Sequence, residues 1–152
     1  MTGRIASLNT SPGGVPKLPV AEAIVSLDGI AGDQQRDRRH HGGPDRALSL
    51  YSLDVIEQLQ LEGHPIAIGT AGENVTIRGL EWREIVPGCR LTLGAVDVEI
   101  TGYATPCKNI RGSFLDEDIT RISEKLHPGW SRVYARVLRG GVVREGDEAR
   151  LW

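Results

Sequence analysis

Three short stretches of this 152-residue sequence hold the side chains best able to do chemistry. The first, RDRRHHGGPDR, carries Arg36, Arg38, Arg39 and Arg46 beside His40 and His41, and breaks at Gly42-Gly43-Pro44. Guanidinium forks match the oxygens of phosphate or carboxylate, and glycines that accept positive φ let successive backbone N–H groups converge on an anion. The alternative is a solvated face on which the arginines pair with Asp37, Asp45 and other carboxylates, and spacing does not separate the two. The second stretch, YATPCKNIRG, sets Cys107 after a proline and beside Lys108 and Arg111. Nearby cations favour a thiolate, the form of sulfur that is nucleophilic and binds soft metals; the competing role is a small buried hydrophobe. Cys89, heading the apolar run CRLTL, fits that second role better. In the third, GTAGENVTIRGL, Gly72 permits a tight turn while Glu73 and Asn74 offer acceptors and a donor to the edge of a nitrogen heterocycle, or serve as ordinary turn chemistry.

The adjacent histidines point to opposite sides of an extended chain, so one site can use only one of them. They form no His-x-x-x-His or His-x-His pattern, and zinc would need Cys107 or a distant carboxylate as well. Their commoner role is to hold loop shape by donating an imidazole N–H to a carbonyl.

Composition bounds what surrounds these residues. A formal net charge of -2 argues against a nucleic-acid coat or an acidic membrane surface as partner, since both demand a strongly basic face. The N-terminus lacks the apolar run of a signal peptide, no segment is long enough to cross a bilayer, and the two cysteines lack Cys-x-x-Cys spacing. The expectation is a cytoplasmic protein with free thiols.

With 5% aromatics and 19 glycines, the core must rest on Val, Ile and Leu carried by short strands between tight turns. Strand patterns run over Gly3 to Leu8, Ala21 to Leu27 and Ala47 to Tyr51, with NTSPGGVPKLP as a loop between the first two. Ser52 caps a helix through Leu61, stopped at Gly63-His64-Pro65. Alternation of Leu91, Leu93, Val96, Val98 and Ile100 about Gly94-Ala95 predicts a hairpin over Cys89 to Thr101. Ser113 with Asp116 resembles a capping box, and Leu115, Ile119, Ile122 and Leu126 predict a second helix ending at His127-Pro128-Gly129. Val133, Ala135 and Val137 lead to a turn at Gly140-Gly141, which predicts a closing hairpin. One mostly-β domain over residues 1–152 is expected, a barrel with a few short helices at its margins.

In order and spacing, GIAGD, HHGGPDRALSLY, GENVTIRGL, PGCRLTLGAVDVEIT, TPCKNI and YARVLRGGVVREGD together resemble the MOSC family, the molybdenum cofactor sulfurase C-terminal domain. The resemblance implies a MOSC-type β-barrel that binds the molybdenum cofactor (molybdopterin) or carries sulfur. It maps the metal ligand, or the sulfur carrier, onto Cys107. By the same resemblance, Arg39, Arg46 and the amides of Gly42 and Gly43 hold the cofactor's phosphate and Asn74 contacts the pterin. Lys17, His41, Glu73, Lys108 and Asn109 complete the implied cofactor set, Lys17 through the weaker match of VPKLPV.

Three functions remain open on these grounds. One is a small oxidoreductase, similar to the bacterial reductases of N-hydroxylated purines, acting on a small-molecule substrate. A second is a sulfur carrier or transferase holding a persulfide on Cys107, fed by a cysteine desulfurase; a third is a non-catalytic cofactor-binding module. Reductases of this kind carry a further N-terminal domain or a C-terminal helical extension, so their full activity does not come with the resemblance. Neither a Gly-x-Gly-x-x-Gly fold nor an iron-sulfur cysteine set is evident, so an electron-donating reductase is the expected partner.

Overall fold

The computed structural model describes residues 1–33 and 43–152. Seven strands close into a barrel: β1 (Thr2–Thr10), β5 (Leu48–Ser52), β6 (Val75–Arg78), β7 (Arg90–Leu93), β8 (Val96–Tyr103), β9 (Val133–Arg139) and β11 (Glu148–Leu151). Their order is β11-β7-β8-β9-β5-β6-β1, and antiparallel pairing of Thr2 to Arg4 with Arg150 to Glu148 joins the two ends. Closure leaves these seven without a free edge. β2 (Leu18–Val20) adds to the outer side of β1, and β10 (Gly141–Arg144), β3 (Glu22–Ser26) and β4 (Gly29–Ile30) make a separate small sheet.

The alternation seen in the sequence is what fills the barrel. Leu91, Leu93, Val96, Val98 and Ile100 are all buried, as are Val133, Ala135 and Val137 on β9, and β7 pairs with β8 through Leu91 opposite Val98. The helix after β5, α1 (Leu53–Leu61), starts where Ser52 accepts from the Val55 N–H, which satisfies one of the donors left open at its first turn.

Two expected elements differ. No helix spans 113–126; the segment forms three short 3-10 turns over Lys108–Ser113, Leu115–Glu117 and Ile119–Ile122. Ser113 spends its hydroxyl on Thr70, while Asp116 and Glu117 sit at positive φ, so the capping box never forms. The Leu115 N–H instead donates to His64 Nδ1, and Leu115 and Leu126 stay exposed. The closing hairpin is also absent. β9 pairs with β8 and β5, whereas β10 crosses to β3 with Val142 opposite Ile24. Gly140 permits that crossing, because a side chain there would run into the Val25 carbonyl oxygen.

Among the described residues no helix is long and apolar enough to cross a membrane.

Candidate functional site

Where β1, β6, β5 and β9 lie side by side, polar residues alternate with the aliphatic ones that fill the barrel. Asn9, Thr76, Asn74, Ser49, Tyr51 and Tyr134 are all buried, an arrangement tolerable only if each polar group finds a partner. The Ser49 N–H donates to Asn74 Oδ1 at 3.0 Å, and the Asn9 amide donates to Thr76 Oγ1 at 3.0 Å. The Asn74 amide nitrogen donates to Asp33 Oδ2 at 3.0 Å and to the Asn9 carbonyl. Asn74 is therefore fully engaged within the protein and fixes two strands and a loop.

Lys17 belongs to the same network. Its ammonium donates to both carboxylate oxygens of Asp33 at 2.7 Å, and both side chains are 6% exposed. The cation is neutralised by its own chain. Its backbone N–H donates to the Gly69 carbonyl, so the Lys17 loop rests on the loop that precedes β6. That loop turns at Gly69 with φ +83, where any side chain would meet the Lys17 carbonyl oxygen.

Glu73 is fully buried and bonds internally. One carboxyl oxygen accepts from the Gly69 N–H at 3.1 Å and the Thr76 hydroxyl at 2.8 Å, while Oε1 is buried without a partner. Burial pushes its carboxyl above the usual range, opposed by those bonds and by the charge of Arg132.

Cys107 lies in the segment that follows β8. It is partly exposed and precedes the turn Lys108–Ser113, with Lys108 and Asn109 exposed beside it. Tyr134 lies within electrostatic range of both Cys107 and Arg46 of the arginine-rich segment. The Arg46 guanidinium lies over the Tyr134 ring, 5.2 Å from its centroid. Burial raises the Tyr134 hydroxyl above its ordinary pKa, Arg132 and Arg46 pull it down, and the Cys107 sulfur pushes it up again. Thiol, phenol and two guanidinium groups thus share one electrostatic neighbourhood. Gly43, at φ +90, starts the turn Pro44–Arg46, and the Arg46 N–H donates back to its carbonyl. Arg39, His41 and Gly42, with Arg36, Arg38 and His40, lie outside the described residues.

Arg132 went unmarked in the sequence. It is 6% exposed and donates from Nη1 to the Ala71 carbonyl at 2.8 Å and from Nη2 to that of Thr105 at 3.5 Å. Its one available signal is a charge immediately before an alternating apolar strand, which also describes many surface arginines. Cys89 behaves as a hydrophobe, packed against the core with its thiol pKa raised by burial. Among the described residues no group of three or more His, Cys, Asp or Glu is placed to hold a metal ion, and Cys107 and Cys89 are both free thiols.

The family model for the MOSC domain matches residues 37–150. The uncharacterized protein YflK of Bacillus subtilis (strain 168) is 27% identical over 141 residues, which cover 91% of this chain and 62% of YflK. Protein YiiM of Escherichia coli (strain K12) is 27% identical over 152 residues, covering 93% of this chain and 65% of YiiM. The chain thus spans under two thirds of the length of both relatives. The crystal structure of YiiM from Escherichia coli superposes with a TM-score of 0.74 at 21% identity, over 100% of this chain and 70% of that one, and so shares the barrel fold. With the family model matched over residues 37–150, most of its length, this chain belongs to the MOSC domain family.

Proposed function

We propose that this protein binds the molybdenum cofactor through Cys107 and reduces N-hydroxylated small molecules, taking electrons from a partner reductase. The observation that supports the reading is Tyr134: the Arg46 guanidinium lies over its ring, 5.2 Å from the centroid, and its hydroxyl is within electrostatic range of Cys107. A soft sulfur donor beside a fixed cation fits a thiolate-bound metal on an anionic organic cofactor.

The donor set would divide the labour. Cys107 would be the protein's sulfur ligand, and Arg46, with Arg39, His41, Gly42 and Gly43 of the same segment, would take the phosphate end. Lys108 and Asn109, exposed beside the sulfur, are the side chains available to the pterin. Lys17, Glu73 and Asn74 are occupied by internal partners and serve as the floor on which the loops rest. When bound, the cofactor supplies a metal able to exchange two electrons and accept an oxygen atom. The net change is an N–OH group gaining two electrons and two protons to give N–H and water.

The test is preparation from a host that makes the cofactor, with Cys107→Ala alongside. The expected result is stoichiometric molybdenum and pterin in the wild type and loss of molybdenum in the variant. Equal metal in both would contradict the reading. Cyanide-labile sulfur on Cys107 without molybdenum would replace it by sulfur carriage supplied by a cysteine desulfurase, and bound cofactor without turnover of a hydroxylamine would reduce it to a binding module.

A further inference from the structure

Arg132 is a buried cation that makes no ion pair among the described residues and carries a buried, unpartnered Nε. A guanidinium in such a place is costly, and an apolar side chain of similar volume often serves stability as well or better. Something other than packing therefore accounts for it.

Its bonds indicate what. The Ala71 carbonyl that accepts from Nη1 at 2.8 Å lies in the loop before β6, and the Thr105 carbonyl, 3.5 Å from Nη2, lies two residues before Cys107. Between Thr105 and Cys107 stands Pro106, whose fixed φ passes the orientation of the Thr105 peptide on to the cysteine. The Ala104 N–H donates to the Arg132 carbonyl at 2.9 Å, so the segment is held from the main chain as well. The guanidinium also acts on the hydroxyls of Tyr51 and Tyr134, and through Tyr134 shares the surroundings of the Cys107 sulfur.

We infer that Arg132 is a positioning residue: one buried guanidinium ties the loop before β6 to the Thr105-Pro106-Cys107 turn and fixes the direction from which the sulfur meets its ligand. That it orients a metal ligand rests on the function proposed above; that it fixes the turn does not.

The experiment compares wild type with Arg132→Gln and Arg132→Lys. In protein without cofactor, hydrogen exchange over residues 104–109 is expected to rise about threefold in Arg132→Gln, as for loss of one long hydrogen bond, with the barrel strands unchanged. Arg132→Lys, keeping the charge, should recover part of the protection. In protein from a cofactor-producing host, the Mo(V) electron paramagnetic resonance signal should shift in Arg132→Gln and return toward wild type in Arg132→Lys. Unchanged exchange at 104–109 would overturn the inference, as would a rise over every strand or failure of both variants to fold, which would make Arg132 a core support only. Should the wild type hold no molybdenum, the proposed function fails, and the exchange pattern alone still decides whether Arg132 fixes the turn.

Discussion

At Glu73 a carboxyl is enclosed on every side, bonded to Gly69 and Thr76 through one oxygen and to nothing through the other. Burial raises its pKa in the folded protein, so the fold favours the protonated acid. By linkage, that contribution to stability is complete below the unfolded-state value and is lost as pH rises through the folded one. Glu73→Gln, which cannot ionise, should therefore gain stability relative to wild type as pH is raised from 5 to 8, read by urea denaturation at each pH. A difference that stays constant across that range would show that the carboxyl is ionised in the fold throughout. This residue also shows what the sequence conceals. Cys107 and Arg46 are legible because residue type and neighbours already carry their chemistry. Glu73 and Asn74 offer donors and acceptors in the sequence, but their partners Gly69, Thr76, Asp33 and Asn9 come from separate segments, and only folding decides that these groups face one another.

The loop before β6 is the element on which the others lean: Lys17 bonds to Gly69, Ser49 to Gly72, Arg132 to Ala71 and Ser113 to Thr70. Its weak point is Gly69, where positive φ and the nearby Lys17 carbonyl both exclude a side chain. Gly88 has a similar φ of +93 with nothing near its missing side chain. Gly88→Ala should thus cost only the conformational term, about 1 kcal/mol. Gly69→Ala should cost several times more and expose Lys17, with thermal unfolding as the measure and equal losses as the contrary result. Elements whose signals are local, such as the hairpin about Gly94-Ala95 and the Ser52-capped helix, were readable from the sequence. The turns at 108–122 were not, because Ser113 and Leu115 bond to Thr70 and His64 from elsewhere in the chain. Nor was the path of β10, since local alternation is the same whether a strand pairs with β9 or with β3.

For the molecule as a whole, the closed barrel supplies the wall, and the proposed site lies where polar residues alternate with its aliphatic ones. β9 contributes Tyr134, with Arg132 just before it; β5 contributes Ser49; and the end of β8 runs into the turn that carries Cys107. The barrel and its family were legible because several weak motifs recur in a fixed order along most of the chain. The site's inner framework was not, since strands distant in sequence build it together. The central claim is that the Cys107 sulfur is the protein's bond to molybdenum, and its most direct test is molybdenum K-edge X-ray absorption on protein isolated from a cofactor-producing host, with Cys107→Ser beside it. In the wild type the metal should carry one sulfur more than does whatever molybdenum the variant retains. The same sulfur count in both proteins, or a wild type that binds no molybdenum, would contradict it.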